Sequence, residues 1–328
     1  MGKQKTTVLL DGLGDHPAVR AWQAIAPGPA PSSVEVLKPE KRKSAVFRLS
    51  GVGNGGGGSI VAKRRERGGL ELERRLYVEV LPSLSLPTLE VYGFIEARED
   101  QSWIFLEDAG ELWYSPKTDD HLSLATRWLA DLHTRSLDWA ALMPDTGPGY
   151  FRTVVDDAIR GLQASLEHPA LSSDDASVLR AVASHVEAVR EDWDNVEAAC
   201  AVAPLGLVHG DFVPKNVRVR EGRSGPELAV FDWETAGAAS PAADLGLLPA
   251  DGASLREYHA LVRPSWPDVS WQDLQELARA GRLLRLLHAV QWELRSFRHA
   301  WIERALRNMR SYEKHLREAV EEDAWLSR

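Results

Sequence analysis

An α+β fold of two lobes is predicted, with a β-rich front carrying one key helix and a larger, mostly helical back. Three observations predict it. Short segments alternating or clustering β-branched and apolar residues occupy positions 32–66 and 91–108, whereas from 121 onward apolar residues recur at helical spacing. With 328 residues, 44% of them apolar and 27% charged, the chain can bury two cores.

In chain order, HPAVRAWQAIA at 16–26 reads as a short helix, with Asp15 as its cap and Pro17 in its first turn. SSVEVL, AVFRLS and SIVAKR follow as strands of an antiparallel meander, the second and third joined by the glycine-rich GVGNGGGG. LELERRLYVEVL reads as one helix, and VYGFIEA and SWIFLED as two further strands. The helical stretches after 121 are interrupted by VRVR and LAVFDW, a hairpin turning near EGRSGPE. The expected division is a β-rich N-lobe at 1–108 and a larger, mostly helical C-lobe at 109–328.

Charge is unevenly placed. Lys and Arg against Asp and Glu number 14 to 9 in residues 1–90 and 8 to 21 in residues 91–200. A basic front and a −13 middle suit one anionic and one cationic ligand, and the net −9 argues against nucleic acid as a partner. Cys200 stands alone, so neither an intrachain disulfide nor a cysteine zinc site can form. No apolar run is long enough to span a bilayer, the expected location is cytoplasmic, and the formal acylation pattern at Gly2–Thr6 reads as a chance match.

The sharpest signal is LVHGDFVPKNVRV followed by LAVFDWETAG. It offers Asp211, Asn216 five residues later and Asp232, each near an apolar strand. Phosphoryl transfer needs a carboxylate to orient a hydroxyl and hard oxygen donors for magnesium, and these residues supply both.

In these motifs the sequence resembles the aminoglycoside phosphotransferase and choline kinase-like family, relatives of the protein kinases. The His-Gly-Asp element appears as His209, Gly210 and Asp211 with Asn216, the metal-binding element as Asp232, Trp233 and Glu234, and the Pro-x-x-Asp-Leu element as Pro241, Asp244 and Leu245. The resemblance implies a bilobal protein kinase-like fold using ATP and Mg2+, with Asp211 catalytic and Asn216 and Asp232 as metal ligands. It also implies Lys63 as the lysine that holds the α- and β-phosphates and Glu73 as its partner, with Glu71 as a rival. Glu107 and Asp108 fall near the adenine. KPEKRKS at 38–44 is the expected phosphate-covering loop, with Ser44 meeting the phosphates, while the glycine run is a hairpin turn. Lys215 is a γ-phosphate candidate.

His133, His209 and Asp244 are read as structural. Trp271, Trp292 and Trp301 are expected in the core, and most of the eight arginines between 279 and 310 are expected to be solvated or paired. The implied activity is transfer of a γ-phosphate to a hydroxyl of a small molecule by a monomer or homodimer. An amine-bearing antibiotic or metabolite is the leading acceptor. A sugar, amino alcohol or homoserine-like acceptor, or a catalytically inactive nucleotide-binding regulator, is the alternative.

Overall fold

The computed structural model describes residues 7–41, 44–52, 57–66, 68–96, 101–248 and 252–322. β1 (Thr7–Leu9) leads through α1 (Pro17–Ile25) to β2 (Ser33–Lys41), β3 (Ser44–Ser50) and β4 (Ser59–Glu66). A helical run follows as α2 (Glu71–Arg75), a π-helical segment (Leu76–Val80) and α3 (Leu81–Ser83), and then β5 (Val91–Glu96) and β6 (Gln101–Glu107). These six strands form one antiparallel sheet in the order β1-β2-β3-β4-β6-β5.

Period-two alternation gives the sheet two distinct faces. Ile60 and Ala62 of β4 join Val34, Phe47, Leu49 and Phe105 with Ala18, Val19 and Trp22 of α1 in one buried cluster. Trp22 and Phe105 approach with ring centroids 5.4 Å apart. Val61, Lys63 and Arg65 therefore belong to the opposite face. The cap of α1 is His16, whose Nδ1 accepts from Ala18 N, and not Asp15, which falls in a preceding 3-10 turn. The expected 38–44 loop is mostly strand, since β2 continues to Lys41 and pairs Lys41 with Ser44. Arg42 and Lys43 lie outside the described residues, as do residues 53–56 of the glycine run and the Gly2–Thr6 pattern.

The remaining elements are α4 (Asp119–Arg135), α5 (Pro148–Ser165), α6 (Ser173–Glu191), α7 (Trp193–Cys200), β7 (Gly206–Val208), β8 (Val217–Gly222), β9 (Gly225–Val230), β10 (Gly237–Ala239), α8 (Ala242–Leu245), α9 (Ala253–Val262), α10 (Trp271–Glu293) and α11 (Glu303–Glu322). Two compact units result, residues 1–116 with 214–234 and residues 117–213 with 235–328. The β8–β9 hairpin thus groups with the six-stranded sheet. β7 and β10 pair with each other, and at three residues each they are too short for alternation to reveal them.

In the helical unit, α6 and α10 both begin with a capping box, Ser172 with Asp175 and Ser270 with Asp273. Among the tryptophans expected in the core, Trp292 is 50% and Trp301 83% exposed, and Trp271 is only partly buried beneath the Arg256 guanidinium. Their helical spacing fits either face, and here it does not mark the core. Where α10 crosses α8, a Cβ on Gly281 would stand 1.7 Å from the Ala242 carbonyl oxygen, so the backbones meet with no room for a side chain.

Gly281→Ala is therefore expected to lower stability by about 2 kcal/mol or more, because α10 must retreat from α8 to admit one methyl. Urea unfolding checks this, and an unchanged midpoint would show that the crossing is not tight.

Candidate active site

Within the sheet-bearing unit, β4 delivers Lys63 to the face opposite the α1 core. Its ammonium lies 2.6 Å from Asp232 Oδ1, donates to Glu73 Oε1 at 3.1 Å and approaches Oε2 at 2.8 Å without hydrogen-bond alignment. Lys63 is 7% and Glu73 2% exposed, whereas the Asp232 side chain keeps 27% of its surface open. Burial pushes the ammonium down most strongly, yet the two carboxylates together outweigh it and hold Lys63 above the ordinary lysine value.

Asp232 has φ 68, a left-handed conformation that a non-glycine residue adopts at a cost and that Asp tolerates better than most. The strand β9 ends at Val230, and this turn at Asp232 starts the next segment. Just before it, Phe231 N donates to Asn216 O at 3.0 Å, tying the metal-ligand candidates' backbones together, and the Arg218 guanidinium lies 5.2 Å from the Phe231 ring. Arg65 ion-pairs with Glu234. Lys38 stands near the same group. Burial chiefly lowers its pKa, Lys63, Arg65 and Lys215 add to the lowering, and Asp232 opposes it.

In the helical unit, the loop after β7 is pinned by Asp244. Its carboxylate accepts from His209 N at 2.7 Å and Gly210 N at 2.9 Å, and His133 Nε2 lies 3.2 Å away. His133 Nδ1 meets Tyr258 Oη at 2.8 Å, so an Nε2–H tautomer donates to Asp244 and accepts from Tyr258. Burial raises the Asp244 pKa most, but these donors prevail and hold it below the ordinary value of 3.8. Gly210 is obligatory: its φ is 76, and a Cβ would stand 2.5 Å from the Thr235 carbonyl. Arg285 of α10 donates to the Phe212 carbonyl at 3.4 Å, and Asp211 and Asp244 act on its charge, although burial leaves its pKa below the usual arginine range.

The model of the phosphotransferase enzyme family matches residues 42–268. The chain belongs to the phosphotransferase enzyme family. Its fold is protein kinase-like, as solved structures show: choline kinase from Cryptosporidium parvum Iowa II (TM-score 0.59, 10% identity, covering 90% of this chain and 94% of that one); spectinomycin phosphotransferase in complex with ADP and spectinomycin (0.58, 11%, 92% and 92%); and ethanolamine kinase from Plasmodium vivax (0.54, 15%, 84% and 78%). At these identities the likeness is one of fold. No curated protein matches the chain.

In this phosphotransferase, then, Lys63, Glu73 and Asp232 come together in one unit, with Lys38 and Lys215 in electrostatic reach. Ser44 begins β3 opposite Arg65. Glu107 is held by Arg220 at 2.8 Å and accepts from Glu90 N at 3.2 Å, and Asp108 is held by Arg48 at 2.6 Å, so both carboxylates near the expected adenine position have protein partners. Asp211 lies in the other unit, where its N–H donates to His209 Nδ1 at 3.3 Å. Sequence reasoning missed Lys38 as an individual residue, and it counted Arg285 only as one of eight arginines. Arg285 was concealed among them, and the helix phase of α10 separates it from Arg279 and Arg282 on the same helix.

Replacing Lys63 by Met leaves Glu73 buried without its cation and is expected to cost about 3 kcal/mol, with Glu73→Gln added to Lys63→Met recovering part of the loss. Chemical unfolding of the two variants checks this; equal stability would mean the pair is not coupled. At Asp244 the depressed pKa implies stability that is complete above pH 3.8 and lost as pH falls through the folded value. Thermal unfolding in acid should therefore fall more steeply with pH for the wild type than for Asp244→Asn.

Proposed function

We propose that this protein transfers the γ-phosphate of ATP, as its magnesium complex, to a hydroxyl group of a small molecule. The observation that carries the reading is the buried Lys63 ammonium, ion-paired to Glu73 and to Asp232, with Asn216 and Asp211 on the segments leading to Asp232. The first compact unit would serve as the nucleotide lobe and the second as the acceptor lobe; the first differs from the expected 1–108 in taking in residues 109–116 and 214–234.

The donor set fits magnesium. Among the described residues no three His, Cys, Asp or Glu converge into a closed cage. One amide and one partly open carboxylate suit an ion that keeps waters and takes its other oxygens from phosphates. Asn216 and Asp232 would hold it, and it would supply neutralisation of the phosphate charge. Lys63 fixes the α- and β-phosphates, Lys215 meets the γ-phosphate, and Ser44 lines the phosphate side. Glu107, its carboxylate already bonded, offers backbone groups beside the adenine. Asp211 accepts the acceptor's hydroxyl proton. The acceptor oxygen then forms the new bond to phosphorus as the bond to the β-phosphate oxygen breaks, releasing ADP.

An amine-bearing acceptor of the kind that antibiotic-modifying enzymes phosphorylate is supported by the −13 balance of residues 91–200, including Asp156 and Asp157 on α5. Asp157, however, is ion-paired with Arg160. Arg285, close to Asp211, favours the second reading, a metabolic kinase whose acceptor is neutral or carries an anionic group, as a homoserine-like substrate does. The complete set of Lys63, Asp211, Asn216 and Asp232 speaks against an inactive regulator. A cytoplasmic setting accords with ATP use and with Cys200 as a buried thiol whose pKa burial pushes up to about 11.

A phosphorylation screen over aminoglycosides, nucleoside antibiotics, macrolides, choline, homoserine and sugars, with mass detection of product, tests the reading; no ATP-dependent product from any class would count against it. Asp211→Ala is expected to lower turnover by about 10²-fold or more while leaving ATP affinity nearly intact. Asp232→Asn, which tolerates the left-handed backbone, should lose magnesium-dependent ATP binding in calorimetry. Rising salt, like Asp156→Asn, should raise the Michaelis constant of a cationic acceptor and leave that of a neutral one unchanged.

A further inference from the structure

β2 does not run regularly. From Ser33 to Val36 it pairs in register with Ser50 to Phe47, and its apolar side chains, Val34 and Val36, turn to the α1 core. Unbroken alternation would send Lys38 to the same apolar face. Instead the register shifts between Val36 and Lys38, an extra residue is accommodated at Leu37, and Lys38 comes to lie opposite Val46. Val46 is itself paired with Lys63 on β4. Directly opposed residues in antiparallel strands share a face, so the bulge transfers Lys38 from the core face to the row of Lys63, two strands away.

The charges that act on Lys38 agree with the side the register gives it, being those of Asp232, Lys63, Arg65 and Lys215. Lys63 is already neutralised by two carboxylates and Arg65 by Glu234. Asp232 is the acid whose charge opposes the lowering of the Lys38 pKa. In sequence, the segment from Lys38 to Lys43 contains no glycine and Pro39 lacks an N–H, unlike the glycine-rich loops whose backbone amides cradle phosphates. Lys38 also precedes the residues that the family model matches, which begin at 42.

We propose that Lys38, carried onto the Lys63 face by the β-bulge at Leu37, binds the terminal phosphate of the nucleoside triphosphate and supplies by charge what a glycine-rich loop supplies by amides. The inference rests on the nucleotide-dependent reading given above and adds a residue to it. A contact with the terminal phosphate discriminates triphosphate from diphosphate. Lys63, which serves the inner phosphates, does not.

The test is calorimetric binding of Mg-ATP and Mg-ADP to the wild type, Lys38→Gln and Lys38→Arg. Loss of one charge-assisted contact should weaken ATP binding about tenfold or more. ADP binding should change less than about threefold, and Lys38→Arg should restore ATP affinity to within a few-fold of wild type. The slope of ATP affinity against salt should also be shallower in Lys38→Gln. Equal effects on ATP and ADP, or none on either, would overturn the assignment. By surface area Lys38 is an exposed residue with only its ammonium partly enclosed, so its replacement should leave the melting temperature nearly unchanged, and a variant that melts early while losing both nucleotides alike would mark a structural lysine instead. Failure of the wild type itself to bind either nucleotide would remove the kinase reading, and this inference with it.

Discussion

The ammonium of Lys63, buried between Glu73 and Asp232, is the contact on which this face of the sheet is organised. It joins β4 and the neighbouring α2 to the turn after β9, which lies far along the chain. A carboxylate as enclosed as Glu73 is tolerated only with a cation beside it, and the cation in turn is retained only because two acids outweigh its desolvation. The β8–β9 hairpin therefore belongs with the sheet although nearly a hundred residues separate it from Pro116. The left-handed backbone at Asp232 is the local cost of aiming that carboxylate.

The loop carrying Asp211 is organised by a different buried acid. Asp244 gathers two backbone N–H groups and the His133 imidazole, and Tyr258 completes the chain of hydrogen bonds. None of these groups needs to touch a substrate; together they fix the backbone on both sides of Gly210, where a side chain has no room. Arg285 adds a cation at the carbonyl of Phe212, next to the catalytic candidate. Arg285 thus offsets the charge of Asp211, and the Asp175–Arg310 ion pair brings a cation from outside the acidic middle of the sequence to it.

Much of this was legible beforehand where residues near in sequence act together. The meander, the glycine-joined hairpin and the helical back half follow from alternation and helical spacing, because those periods are local properties of the backbone. The His-Gly-Asp and Asp-Trp elements carried the family, since their spacing along the chain is itself the motif. Elements with little local signal were lost: the three-residue strands β7 and β10, and the His16 cap displaced by one residue from Asp15. Trp292 and Trp301 show the limit of composition, because a large apolar side chain on a helix can face either way and only the neighbouring helices decide.

The sequence by itself determined the fold class and the family, and it singled out Lys63, Asp211, Asn216 and Asp232 as the candidates for the chemistry. Tertiary structure alone decided which charges meet. A register shift of one residue in β2 turns Lys38 from the core to the Lys63 face, and the phase of α10 selects Arg285 from its neighbours to meet the loop carbonyl. The physical reason is that side-chain direction reverses with every residue of a strand and turns by about 100° with every residue of a helix. Small displacements that leave the pattern of residue types almost unchanged therefore redistribute charge completely.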